Sequence, residues 1–70
     1  MSAAAELRGS REVVLEFKVQ PEGVDLFIRK NRSSTFPEDD YFLDSLEAAV
    51  DFCVTDLGIP ADIVNTYVPR

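Results

Sequence analysis

Apolar and polar residues alternate in two stretches of the first half of the chain. Residues 11–20, REVVLEFKVQ, and residues 24–30, VDLFIRK, place apolar side chains at every second position. A period of two is typical of a half-buried β-strand, and Pro21 and Gly23 between the stretches favour a turn. A third, shorter strand is predicted at residues 41–43, YFL, because aromatic residues suit strands. The pattern therefore predicts an antiparallel sheet of two or three strands.

The alternation also predicts how the first two strands pair. One register keeps the apolar side chains on a single face. It is defined by three cross-strand pairs: Val19–Leu26, Phe17–Ile28 and Glu16–Arg29. This register leaves Glu22 and Gly23 as the hairpin loop. It also places Phe27 on the outer face, opposite Lys18.

Residues 44–58 carry the signals of an amphipathic helix. Asp44 is a good N-cap, and Glu47 three residues later completes a capping-box pattern. Gly58 and the following Pro60 favour the end of the helix. One side of the helical wheel is apolar and is expected to pack on the sheet: Leu46, Ala49, Val50, Cys53 and Leu57.

The two ends of the chain complete the predicted organisation. Residues 1–10 are small and polar and are interpreted as a flexible N-terminal arm, which leaves residues 11–70 as one domain. Pro60 favours a short helical turn over Ala61 to Val64. The last ten residues also contain Ile63, Val64, Tyr67 and Val68, which are too apolar for a free tail and are expected to dock on this domain's core or on another molecule. The predicted fold class is α+β, in the order β-β-β-α, with one helix packed on one face of the sheet and an apolar C-terminal tail.

Chain length and cysteine content favour association. Seventy residues form a thin core, and small domains often gain stability from disulfides, metals or partners. A single cysteine, Cys53, cannot form an internal disulfide, and the chain has no histidine for a zinc site. We therefore expect a homo-oligomer, most simply a dimer, or a complex with another protein.

Charge is unevenly distributed and narrows the choice of partner. The net charge is −6; residues 1–35 hold six bases and five acids, whereas residues 36–70 hold one base and eight acids. An acidic protein is repelled by phosphate backbones, so nucleic-acid binding is not expected. A basic protein partner is electrostatically favourable.

The sequence contains no motif for catalysis or for metal binding. The acids Glu38, Asp39, Asp40 and Asp44 lack the alternating ligand pattern of a calcium loop. Cys53 lies in the apolar stripe of the helix and is predicted to be a buried small hydrophobe. We expect no enzyme, no cofactor and no bound metal.

The predicted compartment is the cytoplasm. The opening stretch MSAAAELRGSRE has no apolar core of a secretory signal, and no apolar run approaches the roughly 20 residues of a membrane span. We therefore expect no membrane partner.

Five residues are predicted to bind a partner: Phe27, Phe52, Glu47, Asp51 and Tyr67. Phe27 and Phe52 fall outside the predicted core. The leading hypothesis is a small non-catalytic protein–protein interaction module that self-associates through the sheet face around Phe27 or through a sheet edge. The second is an acidic antitoxin, immunity or inhibitor protein whose Glu47, Asp51 and loop acids cap a basic partner surface.

The stretch DYFLDSLEAAVDF, residues 40–52, passes from a strand pattern into an acidic helix. Residues 41–53 resemble the strand-to-helix junction of HicB-type antitoxins, in which a β-meander precedes an acidic helix. The chain lacks that family's Pro/Gly/Cys-containing loop before the third strand. The resemblance implies a meander followed by a helix and agrees with the second hypothesis.

Overall fold

Three antiparallel strands and two helices make up the structure, a computed structural model that describes residues 8–69. The elements are β1 (Val14–Gln20), β2 (Gly23–Arg29), β3 (Asp39–Leu43), α1 (Leu46–Thr55) and α2 (Ala61–Tyr67). The strand order is β1-β2-β3, with β2 in the centre. The α+β class and the three-stranded antiparallel sheet are confirmed. The prediction of a single helix with an apolar tail is wrong, because the C-terminal segment forms α2.

The hairpin between β1 and β2 differs from the predicted register by two residues. Val19 pairs with Val24, and Gln20 pairs with Gly23, so the turn consists of Pro21 and Glu22. A shift of two residues leaves every side chain on its predicted face, so the apolar alternation could not distinguish the two registers. Turn chemistry decides, because a type I turn favours proline at its second position and glycine at its fourth.

Gly23 is required by the close approach of β3. A Cβ atom at this position would lie 2.4 Å from the carbonyl oxygen of Leu43 and 2.6 Å from the ring of Phe42. Only a residue without a side chain lets the strands come this close. The turn and the pairing of β2 with β3 therefore depend on the same glycine.

α1 begins one residue later than predicted. Ser45 is the N-cap, and its hydroxyl accepts a hydrogen bond of 3.1 Å from the backbone N–H of Ala48. Asp44 and Ser45 are both good caps, and the exit of the chain from β3 selects the second. Glu47 then occupies the second helical position instead of the third, so the predicted capping box does not form.

The predicted stop signal after α1 is confirmed. Gly58 has a φ of 70°, in the left-handed region that favours glycine. The N–H of Ile59 donates to the carbonyl of Cys53 at 3.0 Å, and the carbonyl of Gly58 accepts from Gly9 at 2.8 Å. The helix end therefore also anchors the chain just before β1.

α2 packs against β1 and α1. Val64 is fully buried, and Ile63 and Tyr67 pack against the core from the same helix. Arg11, just before β1, forms an exposed ion pair of 2.5 Å with Asp62 in the first turn of α2. The apolar C-terminal residues thus dock on this domain, one of the two outcomes expected of them.

The core lies between one face of the sheet and the two helices. Its buried residues are Val13, Leu15, Phe17, Val24, Leu26, Ile28, Ala49, Cys53, Leu57, Ile59 and Val64. The prediction that Cys53 acts as a small buried hydrophobe is confirmed. Of the predicted N-terminal arm, residues 1–7 lie outside the described residues. Within residues 8–69, neither helix has the length and apolar character needed to cross a membrane.

Candidate functional site

The sheet has a second face, here called the open face, that neither α1 nor α2 covers. It consists of the outward-pointing residues of the three strands: Val14, Glu16, Lys18, Gln20, Asp25, Phe27, Arg29, Asp40 and Phe42. Most of these are polar, as expected for the solvated side of an antiparallel sheet. The exceptions are Val14 near one end of the face and the two phenylalanines.

Phe27 occupies the middle of the open face. It is half-buried and lies directly opposite Glu16 on β1 and Asp40 on β3. The predicted neighbour, Lys18, instead lies opposite Asp25, because of the two-residue shift in register. The predicted pairing of Glu16 with Arg29 becomes a diagonal ion pair of 3.9 Å beside the Phe27 ring.

Phe42 is a candidate contact residue that the sequence analysis missed. Its side chain is 53% exposed, and its ring covers Gly23 of the neighbouring strand. The sequence contained the necessary signal, because Tyr41 and Leu43 share a face and Phe42 must therefore point the other way. Phe27 and Phe42 lie on the same face of adjacent strands, but the Phe42 ring extends toward Gly23, on the other side of Asp25 from Phe27, so the two rings are separate apolar groups on this face.

A groove, here called the α1 groove, runs along α1 on the side that faces the end of α2. Its volume is about 780 Å³. It is lined by Ser45, Leu46, Glu47, Ala48, Val50, Asp51, Val54 and Val68. Two of the predicted partner-binding residues, Glu47 and Asp51, are therefore part of a concave surface.

The helical repeat explains the composition of the α1 groove. Leu46, Val50 and Val54 are spaced four residues apart and form an apolar row along the helix. Glu47 and Asp51 form a parallel acidic row one residue further round the wheel, and both are exposed. The groove thus combines an apolar floor with an acidic rim.

Phe52 lies on the other side of α1. It packs against Tyr41 of β3, with ring centroids 4.7 Å apart and planes inclined at 59°. Such a tilted arrangement is a favourable geometry for two aromatic rings. Phe52 is half-buried and packs against the buried core without belonging to it. The wheel alone could not show that the third strand widens the surface on which α1 packs.

Tyr67 lines a separate, more polar cleft of about 550 Å³. The other lining residues are Arg11, Glu12, Asn31, Arg32 and Ser33. Arg11 is held by Asp62, whose carboxylate accepts from the guanidinium. That hydrogen bond lowers the pKa of Asp62 below its usual value and raises the pKa of Arg11. Arg32, from the basic stretch RKNR at residues 29–32, also lines this cleft. The charge of Arg11 is compensated by its ion pair with Asp62.

The other titratable groups singled out in the sequence are Cys53 and the acids Glu38, Asp39 and Asp40. Cys53 is fully buried, and desolvation raises the pKa of its thiol to about 12. Glu38 approaches Lys30 at 3.8 Å, and Asp39 and Asp40 lie in β3. Across residues 8–69, no group of three acidic or cysteine side chains is arranged to hold a metal ion.

The five predicted partner-binding residues do not form one site. Phe27 lies on the open face, Glu47 and Asp51 on the α1 groove, Phe52 beside Tyr41, and Tyr67 in the polar cleft. No protein-family model, curated protein or solved structure matches the chain. The resemblance to HicB-type antitoxins therefore gains no support from these comparisons.

Proposed function

We propose that this protein is a small non-catalytic interaction module that self-associates through the open face of its sheet. The observation that carries the proposal is the pair of aromatic side chains, Phe27 and Phe42, on a sheet face that the helices leave uncovered. A second copy placed on this face would bury both rings and complete the two-layer packing on that side.

The charges around the two rings support an interface between identical copies. The open face carries two bases, Lys18 and Arg29, among three acids: Glu16, Asp25 and Asp40. A two-fold axis brings each surface patch against its own copy, so a face with interspersed charges of both signs can pair with itself. A face of one sign would repel its copy.

A sheet edge is the other route to self-association. β1 and β3 flank β2, so each has one edge without a partner strand among the described residues. Exposed edges can pair with a second chain. Edge pairing would leave Phe27 and Phe42 out of the interface, which makes the two routes experimentally distinct.

Sedimentation velocity of the wild-type chain and of a Phe27→Ser/Phe42→Ser variant tests the proposal. The wild type is expected to form a dimer at micromolar concentration. Removing two central aromatic anchors should raise the dissociation constant of the dimer by about tenfold or more. Circular dichroism of the variant checks that the fold is retained.

Phe36→Ser is the matched control, because Phe36 is 77% exposed and lies outside the strands. This variant should dimerise like the wild type. A monomeric wild type at high micromolar concentration would contradict the proposal. So would a control that weakens the dimer as much as the double variant does.

The proposed role is non-catalytic partly because of the state of the one thiol in the chain. Cys53 is buried in apolar surroundings that raise its pKa, whereas a nucleophilic cysteine needs a lowered pKa and an accessible sulfur. The proposed compartment is the cytoplasm, where an unpaired thiol stays reduced.

The second candidate function is capping of a basic surface on another protein, in the manner of an antitoxin, immunity protein or inhibitor. It is favoured by the position of Glu47 and Asp51 on the rim of a groove with an apolar floor. In a complex, the two carboxylates would pair with Lys or Arg while the floor covers apolar side chains. Loss of partner binding in a Glu47→Lys/Asp51→Lys variant tests this role.

A further inference from the structure

We infer that the α1 groove binds a basic amphipathic helix of another protein. The inference rests on the second candidate function, capping of a basic partner, and gives that partner a structure and a charge. Its binding surface is separate from the open face, so the inference and the proposed self-association can fail independently.

The spacing of the groove residues points to a helix as the bound element. Leu46, Val50 and Val54 are separated by four residues each, so the apolar row is about 12 Å long at 1.5 Å per residue. This length matches roughly two turns of a partner helix. Such a helix presents apolar side chains at positions i, i+3 or i+4 and i+7 to a groove of this kind.

Exposed apolar surface in the groove supplies the reason for binding. Val54 is 37% exposed, and Leu46, Val50 and Val68 are only partly buried although they pack against the core. Val68 follows α2 and forms the wall opposite α1. A helix seated between these walls would remove the remaining apolar surface from water.

The rim determines the charge of the bound helix. Glu47 and Asp51 lie one helical turn apart on the exposed side, and the lining residues that fall within residues 8–69 include no Lys or Arg. Lysines or arginines flanking the apolar stripe of a partner helix would lie beside these carboxylates. An acidic helix would be repelled by the same groups.

A second copy of this chain does not meet this requirement. α1 has the sequence LEAAVDFCVT and α2 the sequence ADIVNTY, and neither contains a Lys or Arg. Docking either helix into the groove of another copy would set acids against Glu47 and Asp51. Neither helix of residues 8–69 in a second copy therefore fits, and the occupant we propose is a helix of a different protein.

The test uses a synthetic probe peptide of about 18 residues with Leu on one face of its helical wheel and Lys on the other. Its counterpart has the same Leu face and Glu in place of Lys. Fluorescence anisotropy of the labelled peptides with the full chain should show binding of the Lys peptide, weakened by added salt. The Glu peptide should bind at least about tenfold more weakly.

Charge reversal separates the rim from the overall charge. Glu47→Lys/Asp51→Lys should weaken binding of the Lys peptide by about tenfold or more. The matched control is Glu22→Lys/Asp56→Lys, which makes the same change in net charge at two exposed acids outside the groove. The control should retain wild-type affinity within about threefold.

A third variant, Val54→Ser, tests the apolar floor of the groove. It should reduce the affinity for the Lys peptide about fivefold. Amide shifts of isotope-labelled protein should change around α1 and Val68, not around Phe27. Equal affinity for the Lys and Glu peptides, equal effects of the two charge reversals, or shifts confined to the open face would overturn the inference. Absence of binding at high micromolar peptide would do so too.

Discussion

Leu26 and Phe27 are consecutive residues of β2, yet they lie in opposite surroundings. Leu26 is completely buried beneath the helices. Phe27 points to the open face, between the acids Glu16 and Asp40. Both are large and apolar, so hydrophobicity alone does not distinguish them. The difference arises because α1 and α2 cover one side of the sheet and leave the other bare.

The comparison shows how a 70-residue chain divides its apolar residues. The covered face concentrates them into a single core, which is the main source of stability in a domain of this size. The open face keeps two aromatic rings among charges of both signs. The proposed function therefore places stability and binding on opposite sides of the same three strands.

The largest expected effect distinguishes the two faces directly. Leu26→Ala should lower the free energy of unfolding by about 2–5 kcal/mol, because it creates a cavity in the core. Phe27→Ala should cost less than about 1 kcal/mol in the monomer, where only cross-strand contacts are lost. Urea denaturation at low protein concentration measures both. Similar losses in the two variants would contradict the assignment of the faces.

A smaller effect concerns the exclusion of water from the covered face, which Cys53 reports through the pH dependence of stability. Burial raises the pKa of Cys53 from 9.0 to about 12, so its stabilising contribution is complete below pH 9 and is lost as the pH rises toward 12. At pH 10 the ionised thiol of the unfolded chain should reduce stability by about 1–2 kcal/mol.

The measurement compares urea denaturation of the wild type and of Cys53→Ala between pH 8 and pH 10. The difference in stability between the two proteins should change with pH by the amount attributed to Cys53. If the difference in stability stays constant over this range, the thiol ionises as readily in the folded protein as in the unfolded chain.

The smallest effect concerns the helix that covers the core. Ser45→Ala should cost about 1 kcal/mol, because the first turn of α1 loses the acceptor for the Ala48 N–H. Asp44→Ala, one residue earlier, is the matched control and should cost less than about 0.5 kcal/mol. Thermal unfolding of both variants measures the difference. A larger loss of stability for Asp44→Ala than for Ser45→Ala would indicate that Asp44 is the N-cap, as the sequence predicted.

Two phenylalanines illustrate why the candidate contact surface was harder to predict than the fold. Phe52 lies off the apolar side of the helical wheel, but β3 provides Tyr41 as its partner. Phe42 alternates with Tyr41 and Leu43, but the face onto which it projects is set by the pairing of β3 with β2. Both outcomes depend on how β3 lies beside β2 and beneath α1, which are contacts between distant parts of the chain.

Local patterns in the sequence determined the antiparallel pairing of the first two strands, the position of α1 and the face on which each β1 and β2 side chain lies. They did so because side-chain alternation, helical periodicity and helix-stop residues act over a few neighbouring positions. The sequence also placed Glu47 and Asp51 on the outer side of α1 without the aid of any distant contact.

Only the tertiary structure decided the folding of the C-terminal segment into α2 and the existence of the α1 groove, and it selects the hairpin register together with the turn sequence. Registers that differ by two residues bury the same side chains, so the turn and the close approach of Leu43 to Gly23 select one. A seven-residue helix such as α2 is too short to be stable by itself and forms because Val64 is buried against β1 and α1. A groove between two elements exists only when packing brings them together.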